Sequence, residues 1–257
     1  MKIGLSTLFC LSSSLKEAIE KLKDLNVQYI ELTDDGFHTL TSNLIKLLKK
    51  SKNSYGWTFS VHAPFSDVNI AAHDTSLRRA ILRRLKKSIK HASELEAEIW
   101  VFHPGATTAL ERYYPGRSWD INLEAIKILN RTAREYGVEA AIENVPEPFP
   151  FLMKSVDDFE RFYSVFHEEL GMVLDVAHAN IQNETTRFIE RFGKKIIHVH
   201  VSDNKKDWDT HLPLGHGNVD WVKTIKGLNK IGFSGTLIIE SYEGINESLS
   251  LLRRLIN

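Results

Sequence analysis

Short apolar runs rich in valine and isoleucine alternate along the chain with longer stretches whose apolar residues return every three or four positions. A short, branched-aliphatic run fits a strand buried on both faces, and the longer period fits a helix that lays one stripe against it. The pattern predicts strands over 2–7, 27–32, 57–62, 98–103, 138–143, 171–175, 196–201 and 235–240. Helices are predicted over 14–25, 39–51, 74–96, 120–136, 155–166, 184–192, 218–231 and 245–256. Repeated strand–helix units require parallel strands with helical crossovers. Gly137 and Gly232 stand where the fourth and seventh helices should stop. Pro64, Pro104 and Pro146 come soon after strands that a proline could not continue. A closed (β/α)8 barrel typically takes about 250 residues, and no linker or shift of composition divides this chain. The expectation is α/β, a single TIM-barrel domain over 1–257.

The ends of these strands carry the candidate chemistry. Six of the eight finish in a residue able to bind a divalent metal: His62, His103, Glu143, Asp175, His200 and Glu240. In a barrel the C-terminal strand ends ring one pocket, and that face carries the active site. Two further motifs join them. Asp175 and His178 are three apart where a strand leaves for its loop, and Asp209 and His211 flank Thr210, so an extended segment would present both on one side. Nitrogen and oxygen donors without thiolates suit zinc or manganese. Nine such groups exceed the needs of one ion and suffice for two or three. Closely spaced ions could activate water against a phosphoester. A single ion could instead polarise a carbonyl while Glu143 and Glu240 exchange protons with the neighbouring carbon.

Composition narrows the partners. Apolar content of 42%, charged content of 26% and zero formal net charge describe an ordinary globular chain with no overall attraction to nucleic acid or membrane. The single cysteine, Cys10, fits a reducing compartment. No apolar run reaches the roughly 20 residues of a membrane span, and the serine-broken N-terminus lacks a signal pattern. The expected location is cytoplasmic, with no membrane partner. The arginines and lysines of the 74–96 helix are expected to form a solvated face, with Leu77, Ile81, Leu85, Ile89 and Ala92 as its apolar stripe. His198 is expected inside the barrel as a hydrogen-bonded residue, and His38, His73, His91 and His167 as surface or capping groups. His216 is a weaker candidate near the pocket.

Three loops are candidates for substrate contact. After His103 come Arg112, Tyr113, Tyr114, Arg117 and Trp119, a mixture suited to a phosphate and a ring. Lys205, Lys206 and Trp208 follow the seventh strand, and the apolar, proline-rich segment after Glu143 would make a lid or a subunit contact. Arg112, Tyr114, Arg117, Lys205 and Trp208 are the expected substrate-binding set.

Over nearly its whole length the chain resembles the endonuclease IV and xylose-isomerase-like TIM-barrel superfamily. The resemblance rests on His62 with Asn69-Ile70, His103-Pro104-Gly105, Glu143-Asn144, Asp175 with His178, and His200-Val201-Ser202-Asp203. Asp209-Thr210-His211, Leu214-Gly215, Gly217 and Glu240 complete it. For endonuclease IV, which cleaves DNA beside abasic sites with three zinc ions, it implies His62 and His103 on one zinc, with Glu143 bridging to a second. Asp175, His200 and Glu240 would complete the second site, and His178, Asp209 and His211 would hold the third. The opening KIGLSTLF and the segment YIELTDDGF, with Glu31, are similar instead to the sugar isomerase and epimerase branch. There the resemblance implies one metal on Glu143, Asp175, His200 and Glu240, with no assigned duty for His62, His103 or Asp209. Retention of those three makes the leading expectation a zinc- or manganese-dependent phosphoester hydrolase acting on a sugar-phosphate-containing substrate, abasic DNA included. The alternative is a mononuclear sugar or sugar-phosphate isomerase or epimerase, and a metabolite-binding barrel without catalysis is the third.

Overall fold

Eight parallel strands pair in chain order and close on themselves, β1 against β8, in a computed structural model that describes residues 1–256. The strands are β1 Lys2–Ser6, β2 Tyr29–Thr33, β3 Thr58–His62, β4 Ile99–Phe102, β5 Glu139–Glu143, β6 Gly171–Asp175, β7 Ile196–Val201 and β8 Thr236–Ile239. The helices are α1 Leu15–Leu22, α2 Ser42–Tyr55, α3 Thr75–Glu94, α4 Arg117–Glu135, α5 Val156–Val165, α6 Val176–Ile181, α7 Thr185–Phe192, α8 Trp221–Lys230 and α9 Ile245–Ile256. The fold is a single (β/α)8 TIM barrel. No helix among the described residues is long and apolar enough to cross a membrane.

Alternation along the strands sorts residues between two environments. Trp100 and Phe102 of β4 face outward into the main core beneath the helices, whereas Ile99 and Val101 face inward with Ala141 and Val173. His103, Glu143 and Asp175 continue those inward rows toward the C-terminal end, which is why the tips converge. Local signals start the helices where the sequence provides them. Ser14 and Glu17 form a reciprocal capping box for α1, as Ser155 and Asp158 do for α5. Gly56 ends α2 in the left-handed conformation.

One helix lies outside the sequence expectation. α6 begins directly after β6, with Asp175 serving both as last strand residue and as N-cap, its Oδ1 accepting from the His178 amide. A helix this short, with no turn before it, leaves no periodic signature. The chain of α3 also departs from the expected solvated face. Leu77 is exposed, and Arg84 turns inward to form a two-pronged pair with the buried Asp34, at 2.8 Å and 2.9 Å. His38 and His91 are buried rather than at the surface, and His38 Nε2 lies 3.1 Å from the Ser13 carbonyl.

The two kinds of arginine on α3 should behave differently. Arg84→Met strands the Asp34 carboxylate and is expected to cost about 2–3 kcal/mol, the low side for breaking a buried pair because the guanidinium is partly solvated. Arg83→Met, on the exposed side, should change stability by no more than about 0.5 kcal/mol. Urea denaturation of the two variants measures the difference.

Candidate metal site

The six strand tips meet. Glu143, Asp175, His200 and Glu240 each offer one ligand atom, and all four atoms lie within 4.8 Å of one another. His62, His103 and Glu143 form a second such group, and His178, Asp209 and His211 a third. Glu143 is common to the first two. Its Oε2 lies 3.3 Å from His62 Nε2 and 3.1 Å from His103 Nε2, while its Oε1 lies 3.1 Å from His200 Nδ1. His200 Nδ1 is also 3.3 Å from Glu240 Oε2. Asp209 Oδ2 takes His178 Nε2 at 3.2 Å and His211 Nε2 at 3.1 Å. The Asp209–His211 pairing arises differently from the expected extended segment, because His211 sits at φ 46° in the left-handed region.

Backbone and side-chain contacts below hold these groups in place. The Asn144 side chain ties the tip of β5 to that of β6, accepting from the Asp175 amide at 2.8 Å and donating to the Asp175 carbonyl at 3.0 Å. The Asn144 carbonyl lies 2.8 Å from His178 Nδ1, and the Glu240 carbonyl 2.9 Å from His211 Nδ1, which leaves each Nε2 toward Asp209. Gly105, beside His103 and Pro104, packs so closely on Ala71 that a Cβ would collide with it. His198 is the interior residue expected, with Nε2 2.9 Å from Glu31 Oε2.

The electrostatics are strained toward negative charge. Burial alone would raise the Glu143 carboxyl, but His200 and His103 outweigh it and hold it well below the usual range. Glu31 is held down in the same way by His200 and His198. Asp209 is likewise held low by His178 and His211, whereas Glu240 and Asp175 lack enough cationic neighbours. Burial pushes Glu240 up to about 7, with the charges of Glu143 and Glu31 adding to it against His200. Asp175 is also raised by burial, and its Oδ2 is buried without a hydrogen-bond partner. Burial disfavours a charged His62 ring, yet the hydrogen bond and charge of Glu143 carry it up to about 9. An orphaned carboxylate oxygen within an oxygen-rich set containing one imidazole fits a divalent cation such as manganese or zinc. These buried groups could therefore bind a metal.

Above this floor lies a cavity of about 250 Å³. Its wall is apolar and aromatic, with Leu8, Phe65, Pro146, Phe149, Phe151 and Tyr242, and its floor shows His62, His103, Glu143, His178, Asp209, His211 and Glu240. Among the described lining residues there is no lysine or arginine. The expected substrate set is mostly elsewhere. Arg112, Tyr114, Arg117 and Lys205 are exposed and do not line the cavity, and Arg117 borders a separate surface hollow with Glu124 and Lys127. Trp119 is buried in α4, with Arg161 over its ring. Trp208 alone comes near, its ring centroid 5.0 Å from that of Phe149. His216 pairs with Glu247 outside the pocket, and His73 lies against Ser118.

The sequence marks the segment carrying Phe149 and Phe151 only as a lid or subunit contact, and it gives no reading for Phe65 and Tyr242. Phe65 and Tyr242 fall within a few residues of the His62 and Glu240 tips, and that spacing was the available signal. A guanidinium in a loop has an obvious class of ligand, whereas a phenylalanine near a tip is equally at home in a core.

Known proteins place this architecture. An uncharacterized protein of Methanocaldococcus jannaschii is 32% identical over 94% of this chain and 84% of its own length. D-psicose 3-epimerase of Ruminiclostridium cellulolyticum is 22% identical over 88% of this chain and 78% of its own. A solved D-tagatose 3-epimerase-like protein superposes with a TM-score of 0.94 and 29% identity, covering 100% of this chain and 97% of that one. The family described as xylose isomerase-like TIM barrel matches residues 19–255, and the chain belongs to it.

Proposed function

We propose that this protein is a metal-dependent epimerase or isomerase of small, unphosphorylated ketose sugars, with Glu143 and Glu240 as the proton-transferring pair. One observation carries the reading. Of the four residues in the deepest group, Asp175 and His200 stay beneath the floor while only Glu143 and Glu240 also line the cavity. Two carboxylates can thus meet a bound sugar from different strands. The names of the related proteins, an epimerase and an epimerase-like protein, support the same chemistry. They give the expected endonuclease IV activity no support, and the cavity offers a phosphodiester no guanidinium or ammonium group, so its charge would have to be met by bound ions alone.

The chain's own residues can carry the reaction. A ketose enters with its hydroxyl edge toward the floor and its C–H face against Phe65, Phe149 and Phe151. One glutamate removes the proton from the carbon beside the carbonyl, and the electron pair of that C–H bond moves onto the carbonyl oxygen to give an enediolate. The second glutamate returns a proton to the opposite face of the same carbon, giving the epimer. Return to the former carbonyl carbon, with the hydroxyl proton passing from one oxygen of the enediolate to the other, gives the isomer. Glu143, Asp175, His200 and Glu240 would hold a manganese or zinc ion, whose Lewis acidity polarises the carbonyl and steadies the enediolate. His62 and His103 hold Glu143 Oε2 in place, a duty that requires no additional ion. A two- or three-ion centre on His62, His103, His178, Asp209 and His211 is the second reading, favoured only by the clustering of those residues and the unpartnered Asp209 Oδ1.

Metal addition gives the first check. Chelator-treated protein should gain thermal stability when Mn2+ or Zn2+ is added, because an ion that binds only the folded chain stabilises it by mass action. Asp175→Asn should remove most of that gain, and an unchanged melting curve for the wild-type chain would count against any resident ion. The activity check is wash-in of solvent deuterium at the carbon beside the carbonyl, followed by NMR with D-tagatose, D-fructose and their phosphate esters. Free ketoses are expected to exchange and epimerise faster than the esters. Glu143→Gln and Glu240→Gln should each lower kcat/KM by roughly 100-fold or more, His103→Ala by much less, and Arg117→Ala not at all. Cleavage of abasic duplex DNA with no exchange in any ketose would reverse the assignment.

A further inference from the structure

The geometry points to Glu31 as a positioning residue that sets the ring of His200 and, through it, the affinity of the deepest group for a divalent ion. This rests on the proposed function only in needing an ion at Glu143, Asp175, His200 and Glu240. Glu31 lies in β2, one layer beneath the strand tips and fully buried. Its Oε2 accepts from Ser60 Oγ at 2.8 Å and faces His198 Nε2 at 2.9 Å. Its Oε1 lies 2.9 Å from His200 Nε2, angled off a straight hydrogen bond, and neither atom has another hydrogen-bond partner. The opposite nitrogen of the same ring, Nδ1, faces Glu143 and Glu240.

His200 is therefore gripped edge to edge, with Glu31 on one nitrogen and the ligand group on the other. An imidazole that gives a lone pair to an ion through Nδ1 carries its proton on Nε2, and a carboxylate there fixes both tautomer and ring direction while making the ring a better donor. Ser60 and His198 occupy the other Glu31 oxygen, so Oε1 is left for His200. A neutral amide would satisfy His198 alone. Only the service to His200 calls for a charge at a fully buried position.

The test titrates chelator-stripped full-length protein with Mn2+ alone, reading free Mn2+ by electron paramagnetic resonance. Glu31→Gln is expected to weaken Mn2+ binding by about 10- to 100-fold, the usual cost of losing such a partner, at unchanged stoichiometry. Raising Mn2+ should restore most of kcat in the deuterium-exchange assay with little change in KM, a recovery that a packing defect would not show. Ser60→Ala, which frees the carboxylate without removing it, should weaken binding several-fold and carries the test if Glu31→Gln does not fold. Arg84→Met is the control for lost stability and should keep wild-type Mn2+ affinity. Wild-type affinity in Glu31→Gln, or in Ser60→Ala where that variant stands in, overturns the assignment, as does a wild-type chain that binds no Mn2+. Weakened binding in a protein that turns over no ketose would instead sink the sugar reading and leave Glu31 in its role.

Discussion

Four carboxylates, Glu31, Glu143, Asp175 and Glu240, are buried within one barrel interior, and the rest of the site follows from the need to compensate them. A carboxylate taken out of water needs a cation or several hydrogen-bond donors close by. The barrel supplies imidazoles: His62, His103 and His200 around Glu143, and His198 and His200 around Glu31. The compensation is incomplete, since Asp175 and Glu240 are pushed toward their protonated forms. That shortfall of positive charge, placed beneath a small cavity, is what makes a divalent cation a fitting occupant. A bound ion would also alter these same protonation preferences.

The fold was legible because it depends on periodicity. Most strands are short apolar runs with a clear end, and each long helix carries an apolar stripe, so all eight strands and the described helices other than α6 fall where the pattern puts them. The strand tips were legible for the same reason: His103, Glu143 and Asp175 extend inward rows that start with Val101, Ala141 and Val173. Local exceptions erased the signal elsewhere. α6 uses Asp175 as its cap with no turn between, and His211 reaches Asp209 through a left-handed residue that no alternation rule anticipates. On α3, Arg84 and Arg83 read alike as charges, yet only one reaches a buried acid, because that depends on where Asp34 lies across the fold.

The choice between hydrolase and epimerase turns on a point where residue identity is ambiguous. A histidine beside a glutamate is equally a metal ligand and a hydrogen-bond partner. His62 and His103 can steady Glu143 Oε2 directly, so their presence does not demand a second ion. The loops decide more than the ligands do. The side-chain cations that could meet a phosphate, Arg112, Arg117 and Lys205, are turned to solvent away from the cavity, so charge facing a phosphoester there would have to come from bound ions alone.

The loops also explain how a small sugar would be held by a site whose polar groups are gathered mainly on its floor. The segment after β5 and the segment after β7 meet where Phe149 stands edge-on to Trp208, and Phe149 also contacts Phe151, which in turn lies against His103. An aromatic face can take the C–H side of a sugar while the hydroxyl side turns down to the carboxylates. Covering that side with rings rather than polar groups excludes water from the floor, and exclusion of water strengthens every charge interaction there. The apolar mouth and the over-acidic floor are then two halves of one arrangement. In the proposed ketose reaction the rings would give a neutral sugar its orientation, and the floor would act on the one carbon whose proton is acidified by the neighbouring carbonyl.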